Sequence, residues 1–208
     1  MLGIHDYWLF VVTGVLLNLT PGQDTFYILG RSLGQGIRVG IASALGIGAG
    51  CVVHTLAAAF GLSAILAASA AAFIAIKLIG AAYLVYLGIR MLTARTAGGA
   101  LSSLPSPVAI TAAFRQGLLT NVLNPKVALF FLAFMPQFIE TDSQTKTTAF
   151  VVLGVTFVVT GTVWGLLLAI GAARLRHIVV GRPQILTLLS RAAGALFVFL
   201  GLRLAVER

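Results

Sequence analysis

Two short polar segments carry the residues with chemical potential: Asn18-Leu19-Thr20-Pro21-Gly22-Gln23-Asp24 and Asn121-Val122-Leu123-Asn124-Pro125-Lys126. Each contains a proline, which has no backbone N–H to give. Pro21 leaves the carbonyl of Leu17 without its helical donor, Pro125 does the same to Asn121, and Gly22 loosens the turn that follows. Freed carbonyls, side-chain amides and one charge of each sign are what a broken membrane helix offers to a small polar solute. A charge at mid-helix costs about 2.5–3.5 kcal/mol on insertion scales and usually faces a cavity or another charge, so Asp24 and Lys126 are natural mutual partners. Burial and a neighbouring ammonium push the Asp24 carboxyl in opposite senses. Two roles therefore stay open for it: a proton carrier, or an ion-pair partner of Lys126 that can also hold a substrate ammonium. Kinks that only shape packing would account for the prolines, but would leave Asn18, Gln23, Asp24, Asn121, Asn124 and Lys126 without a purpose. Snorkelling to the interface is the competing account of the two charges.

Other polar groups are secondary candidates. Ala42, Gly46, Gly50 and His54 recur every four residues and share one helix face, a small-residue stripe whose default meaning is close packing. His54 at its end is either a proton relay or a histidine held by one hydrogen bond. Lys77 and Arg191 are further cations in apolar surroundings and read as snorkelling side chains. Trp8, Trp164, Tyr7, Tyr83 and Tyr86 read as interfacial anchors or core aromatics. Cys51 is the single cysteine, so no intrachain disulfide forms. No HExxH motif and no second intramembrane Asp accompany these groups, which removes the usual anchors for a membrane protease. Metal sites need several carboxylates, thiolates or imidazoles. Only Asp24, His54 and Cys51 offer themselves, so a metal-cation transporter is the weaker alternative, and neither a bound metal nor a cofactor is expected.

The elements that must position these residues are membrane helices. Of 208 residues 59% are hydrophobic and 9% charged, and the mean hydropathy is +1.04, well outside the range of soluble domains. Six apolar stretches approach the roughly 20 residues that cross a hydrocarbon core: Tyr7 to Gly30, Ile37 to Leu66, Ala70 to Leu92, Gly117 to Phe138, Thr147 to Ala172 and Ile185 to Val206. They lack the alternation of barrel strands, and the expected fold is an all-α integral membrane protein. With 14 Lys and Arg against 5 Asp and Glu the formal charge is +9. Eight of these cations sit in connections one, three and five, at Arg31 and Arg38, at Arg90, Arg95 and Arg115, and at Arg174, Arg176 and Arg182, whereas the opposite side has only Lys146 and Arg208. That placement reads as topology signals rather than a nucleic-acid surface, and puts both termini outside the cytoplasm. The N-terminal end has no Lys or Arg before the first stretch, unlike a signal peptide, so that helix is expected to remain in the mature protein.

An internal repeat is also legible. Val85-Tyr86-Leu87-Gly88-Ile89-Arg90 corresponds to Val198-Phe199-Leu200-Gly201-Leu202-Arg203. Leu45-Gly46-Ile47 corresponds to Leu153-Gly154-Val155, and Leu19-Thr20-Pro21 to Leu123-Asn124-Pro125. Repeat one covers about residues 1–92 and repeat two about 115–208, joined by a linker over about 93–114 whose Thr93 to Pro107 part is rich in Ala, Gly, Ser and Pro. Three crossings per unit, an odd number, make the second unit enter from the opposite side. Six transmembrane helices in two inverted three-helix repeats are thus expected, in a single transporter domain.

The segments LNLTPGQDTFYILGRSLGQGIRVGIASALGIGAG (Leu17 to Gly50), FRQGLLTNVLNPKVALFFLAFMPQFI (Phe114 to Ile139) and LIGAAYLVYLGIRML (Leu78 to Leu92) resemble the LysE/RhtB translocator family of bacterial amino-acid exporters, and the resemblance covers nearly the whole chain. The family commonly shows Pro-Gly-Pro-Asp where this chain has Pro21-Gly22-Gln23-Asp24, so Gln23 softens the break and is expected to add a side-chain amide to the site. The resemblance implies a secondary exporter of amino acids or related small metabolites in the bacterial inner membrane, driven by the proton gradient. Its partners would be the amino acid, protons and membrane lipids, with no nucleic acid and with a homo-oligomer open. Carried over position by position, Pro21, Gly22, Asp24, Asn121, Asn124, Pro125 and Lys126 form the candidate transport site; with the neighbouring Thr20 and Gln23 they make up the candidate substrate and proton site, and Asn18, His54 and Lys77 are secondary candidates.

Overall fold

The structure, a computed structural model, describes residues 2–62, 64, 70–93, 106–140 and 143–174, together with single positions 191, 195, 198, 199 and 202. Helix α1 spans Tyr7–Leu19 and α2 spans Gln23–Gln35. Helix α3, Ile37–Leu56, runs on as a π-helical turn over Ala57–Leu62. Helix α4 spans Ala70–Thr93, α5 Ile110–Val122, and α6 the short Pro125–Leu129. From α6 the chain continues through a π-helical segment, Phe130–Phe134, and a 3-10 turn, Met135–Phe138, before α7 at Lys146–Arg174. The described residues form no strand beyond one antiparallel bridge between Ile4 and Ile139. Two helical runs, Ile37–Leu62 and Lys146–Ala172, are long and apolar enough to cross a membrane, and the pair Ile110–Val122 and Pro125–Phe138, bent by 47°, makes a third if it counts as one span. The sixth apolar stretch, Ile185 to Val206, lies outside the continuously described residues, as do Arg176, Arg182, most of the linker, and the side chain of Lys77.

Two boundaries differ from the hydropathy reading. The stretch Tyr7 to Gly30 is two helices rather than one, and α2 extends to Gln35. The residue before a proline is driven from helical to extended backbone by the ring, and Thr20 has φ −67° and ψ 121°. Asn124, before Pro125, answers it with φ −78° and ψ 107°. The fourth stretch begins at Ile110 rather than Gly117, so its first turns fall within the expected linker. Arg115 and Gln116 dilute the apolar signal there without disturbing the helix. Between α2 and α3 the chain turns at Gly36, whose φ of 86° is open to glycine at little cost.

Glycines let α3 sit at the centre of the bundle. A Cβ at Gly50 would lie 2.7 Å from Cβ of Asn121 and 2.9 Å from the Leu118 carbonyl oxygen, and one at Gly117 would lie 2.6 Å from the Ser43 carbonyl oxygen. Backbones of α3 and α5 thus meet directly, which is the packing meaning of the Ala42, Gly46, Gly50 stripe. A Cβ at Gly48 would meet Thr162 at 2.5 Å, so α7 closes on the other side of α3 in the same way. A phenylalanine cluster fills the space between α1, α7 and the Phe130–Phe138 segment, with Phe130 and Phe157 stacked at 4.6 Å between centroids. On the outer face of α7, Val155, Val159, Val163 and Leu167 are each more than half exposed. Such an apolar stripe is stable against lipid and a liability in water.

Candidate functional site

The two proline breaks meet in space. At the first, Thr20 closes the end of α1, its N–H donating to the carbonyls of Leu16 and Leu17 at 3.1 and 3.2 Å and its hydroxyl to Leu16 at 2.7 Å. The carbonyls of Leu17 and Thr20 also accept from Lys126 Nζ, at 3.3 and 3.2 Å. An ammonium at the carbonyl end of a helix is favoured by the helix dipole. Gly22 makes the room: a Cβ there would stand 3.2 Å from Nζ. Lys126 reaches this point because Asn124 caps α6, its Oδ1 accepting from the Lys126 backbone N–H at 3.0 Å, with Pro125 in the first turn where no donor is needed.

At the second break the carbonyl that Pro125 frees, that of Asn121, accepts from the Asn124 N–H at 2.9 Å and from His54 Nε2 at 3.1 Å. A carbonyl only accepts, so Nε2 carries the proton in this contact. The imidazole also stacks on Phe131, centroids 5.6 Å apart. The side chain of Asn121, fully buried, turns the other way and donates through Nδ2 to Asp24 Oδ2 at 2.8 Å. Asp24 lies in the first turn of α2, where the positive helix end favours its carboxylate.

Asp24, Asn121 and Lys126 share a cavity of about 40 Å³ whose wall also includes Asn18, Thr162 and Trp164. One water needs roughly 10–15 Å³ on this measure, so the space takes a few waters. Among the described residues of this wall, Asp24 Oδ1, Asn121 Oδ1 and Trp164 Nε1 are buried and without a partner; Asn124 Nδ2 is also buried and unpartnered. Buried polar atoms are nearly always satisfied, and a cluster of exceptions marks a place where something polar belongs. Asn18 joins the wall from α1, its Nδ2 donating to Thr160 Oγ1 at 3.4 Å.

The expected site therefore divides. Asn18, Asp24, Asn121 and Lys126 line the cavity; Thr20, Pro21, Gly22, Asn124 and Pro125 shape the breaks that hold them. Asp24 and Lys126 form no direct ion pair among the described residues: an amide holds one charge and helix-end carbonyls hold the other. Gln23 is exposed and does not line the cavity, so the side-chain amide expected from it is not added to the wall. His54 stands behind the wall as a single-bonded, stacked imidazole. The α7 contribution was missed by sequence reasoning, although Thr156, Thr160 and Trp164 recur every four residues and form a polar stripe on one face. Thr156 bonds Tyr7 Oη at 3.0 Å, Thr160 bonds Asn18, and Trp164 lines the cavity.

Arg31, read from the sequence as a topology signal, is buried at 7% exposure. It donates to Gln35 Oε1 at 3.0 Å, to the Ser106 carbonyl at 2.7 Å and to Gln116 Oε1 at 2.7 Å, and lies over the Tyr27 ring. Gln35 Nε2 donates to the Val108 carbonyl at 2.9 Å. The chain just before α5 is thereby tied to α2. Among the described residues no three His, Cys, Asp or Glu gather to hold a metal ion.

Apolar helices around a small cavity with a few buried polar groups, where the two proline breaks meet, are those of a multi-pass membrane protein. The chain belongs to the LysE type translocator family, which matches residues 15–208. It is 33% identical to an uncharacterized membrane protein of Pseudomonas aeruginosa over 98% of this chain and 96% of that protein. It is 32% identical to the homoserine/homoserine lactone efflux protein of Salmonella typhimurium, over 98% of each chain. With the leucine efflux protein of Salmonella choleraesuis it shares 27% identity over 98% of this chain and 96% of the relative. No solved structure matches.

Proposed function

We propose that the protein is a secondary active exporter of amino acids or closely related small metabolites across the bacterial inner membrane, exchanging them for protons. The observation that carries this reading is the cavity at the meeting of the two breaks, lined by Asp24, Asn121 and Lys126, with Asp24 Oδ1 and Asn121 Oδ1 buried and unpartnered among the described residues. Family membership and the names of the Salmonella relatives supply the cargo class and the outward direction. Six helices in two inverted repeats, with both termini outside the cytoplasm, are the arrangement we assign. The matched extended residues before Pro21 and Pro125 support it, as does the placement of the basic residues.

The chemistry follows from the held groups. A substrate ammonium takes Asp24 Oδ1, and its carboxylate takes the Lys126 Nζ donor that the Leu17 and Thr20 carbonyls leave free. Protonation of Asp24 cancels the charge that holds the ammonium and so links release to proton uptake. The cavity holds only a few waters, so the walls part during the cycle. The breaks at Thr20–Gly22 and Leu123–Asn124 are where this movement disturbs fewest backbone hydrogen bonds. One carboxylate among amides suits an ammonium better than a multivalent cation, which takes six or more oxygen ligands in the case of calcium.

Efflux from proteoliposomes under an imposed pH gradient tests the proposal. Wild-type protein is expected to move one or a few amino acids in a gradient-dependent way, and Asp24→Asn to lose the gradient dependence. Unchanged gradient-driven flux in Asp24→Asn would remove Asp24 from the coupling path. No flux of any amino acid from folded wild-type protein would overturn the exporter reading.

A further inference from the structure

The unsatisfied atoms of the cavity specify a substrate more narrowly than the exporter reading on which this inference rests. The bond from Asn121 Nδ2 to Asp24 Oδ2 orients the amide, because the reverse orientation would set two acceptors against each other. Asn121 Oδ1 is therefore an acceptor, as is Asp24 Oδ1, and both are buried without a donor. Trp164 Nε1 can only donate and is buried without an acceptor. An ammonium group carries three donors, and Lys126 Nζ spends two on Leu17 and Thr20. The open valences are two acceptors, from α2 and α5, and two donors, from α6 and α7. They match an ammonium and a carboxylate.

Charge balance limits the rest of the molecule. Asp24 and Lys126 are the charged residues of the described cavity wall, and they cancel. A zwitterion keeps the site neutral, whereas a substrate with an extra charge on its side chain would bring an uncompensated charge out of water. Leu17, Ile28, Ile47, Phe157 and Leu168 supply the remaining wall and offer contact to hydrocarbon.

We propose that the substrate is an amino-acid zwitterion with an uncharged, apolar side chain, and that Trp164 is a specificity-determining residue that donates its indole N–H to the substrate carboxylate. Trp164 can take this role because α7 presents it one turn beyond Thr160, the partner of Asn18, on the wall of the same cavity.

The test uses purified full-length protein in proteoliposomes, with leucine, lysine and glutamate as probes. Leucine is expected to be exported with at least tenfold higher kcat/KM than lysine or glutamate. Trp164→Phe, which keeps an aromatic ring and removes the N–H donor with the pyrrole half of the indole, is expected to raise KM for leucine about tenfold, the scale of one hydrogen bond to a charged group. A second measurement does not depend on that variant folding. The chain has two tryptophans, and Trp8 is 76% exposed on α1, away from the cavity. In Trp8→Phe the remaining emission comes from Trp164, and it is expected to shift on titration with leucine and not with lysine. Equal export of lysine or glutamate would overturn the side-chain assignment. A wild-type KM in Trp164→Phe, or an emission blind to leucine in Trp8→Phe, would overturn the role of Trp164. Those failures leave amino-acid flux intact, whereas loss of the exporter reading itself shows as no flux of any probe from folded wild-type protein.

Discussion

Asn121 holds Asp24 through a 2.8 Å hydrogen bond from its side chain, while its own backbone carbonyl is held by His54 at 3.1 Å. One residue at a proline break thus joins α2, α3 and α5. Asn121→Ala removes the side-chain bond and leaves the backbone bond in place. It is expected to leave a folded protein, destabilised by about 1–3 kcal/mol for the unpaired buried acceptor, with amino-acid efflux reduced at least tenfold. Thermal unfolding in detergent and efflux from proteoliposomes check the two effects separately.

Lys126 binds the end of α1 rather than Asp24. Lys126→Met, similar in length and uncharged, takes a donor from the Thr20 carbonyl and leaves the Leu17 carbonyl only the Thr20 N–H, and is expected to lower stability by about 1–3 kcal/mol and abolish transport. Lys126→Arg is not expected to restore transport. A guanidinium is a planar fork rather than a compact point charge, and the ammonium already sits 3.2 Å from where a Gly22 Cβ would be. Transport rates of the two variants, normalised to folded protein, decide this.

Gly50 and Gly171 differ only in what surrounds them. A Cβ at Gly50 meets Asn121 at 2.7 Å and the Leu118 carbonyl at 2.9 Å, while one at Gly171 finds nothing within 4 Å among the described residues. Gly50→Ala must push α5 from α3, an overpacking cost of about 1–3 kcal/mol, and it displaces Asn121. Gly171→Ala is expected to be neutral or slightly stabilising, since alanine is the better helix former. Equal melting temperatures for the two variants would show that the α3–α5 contact is looser than the backbone approach implies.

Arg31 ties Ser106 to α2 with a geometry a lysine cannot reproduce, since one guanidinium serves Gln35, Ser106 and Gln116 together. Arg31→Lys is expected to speed hydrogen exchange in a peptide covering residues 106–116, with peptides from the centre of α7 unchanged. Protection retained at 106–116 would mean that Gln35, through its bond to Val108, suffices alone.

Much of this protein follows from local chemistry that needs no fold. Long apolar runs can only be helices in lipid, because every backbone polar group must be satisfied within the segment, and the structure supplies those helices at Ile37–Leu62 and Lys146–Ala172. A proline removes its donor wherever it stands, so the freed carbonyls of Leu17 and Asn121 were legible from Pro21 and Pro125 alone. The glycine stripe on α3 announced a close helix neighbour, though not that the neighbour is α5. Tertiary structure decided which distant groups join the local N–H donors of Thr20 and Asn124 at the freed carbonyls. Lys126 reaches Leu17 across 109 residues and His54 reaches Asn121 across 67, and no spacing along a chain encodes such pairings. Charge complementarity nominated Asp24 for Lys126, but helix ends and amides compete for the same charges, and relative position settles that competition. The same holds for Trp164 and Arg31, which read from sequence as an aromatic anchor or core residue and a topology signal. Packing of α7 against α1, and of α2 against the start of α5, turns them into a cavity wall and a clamp.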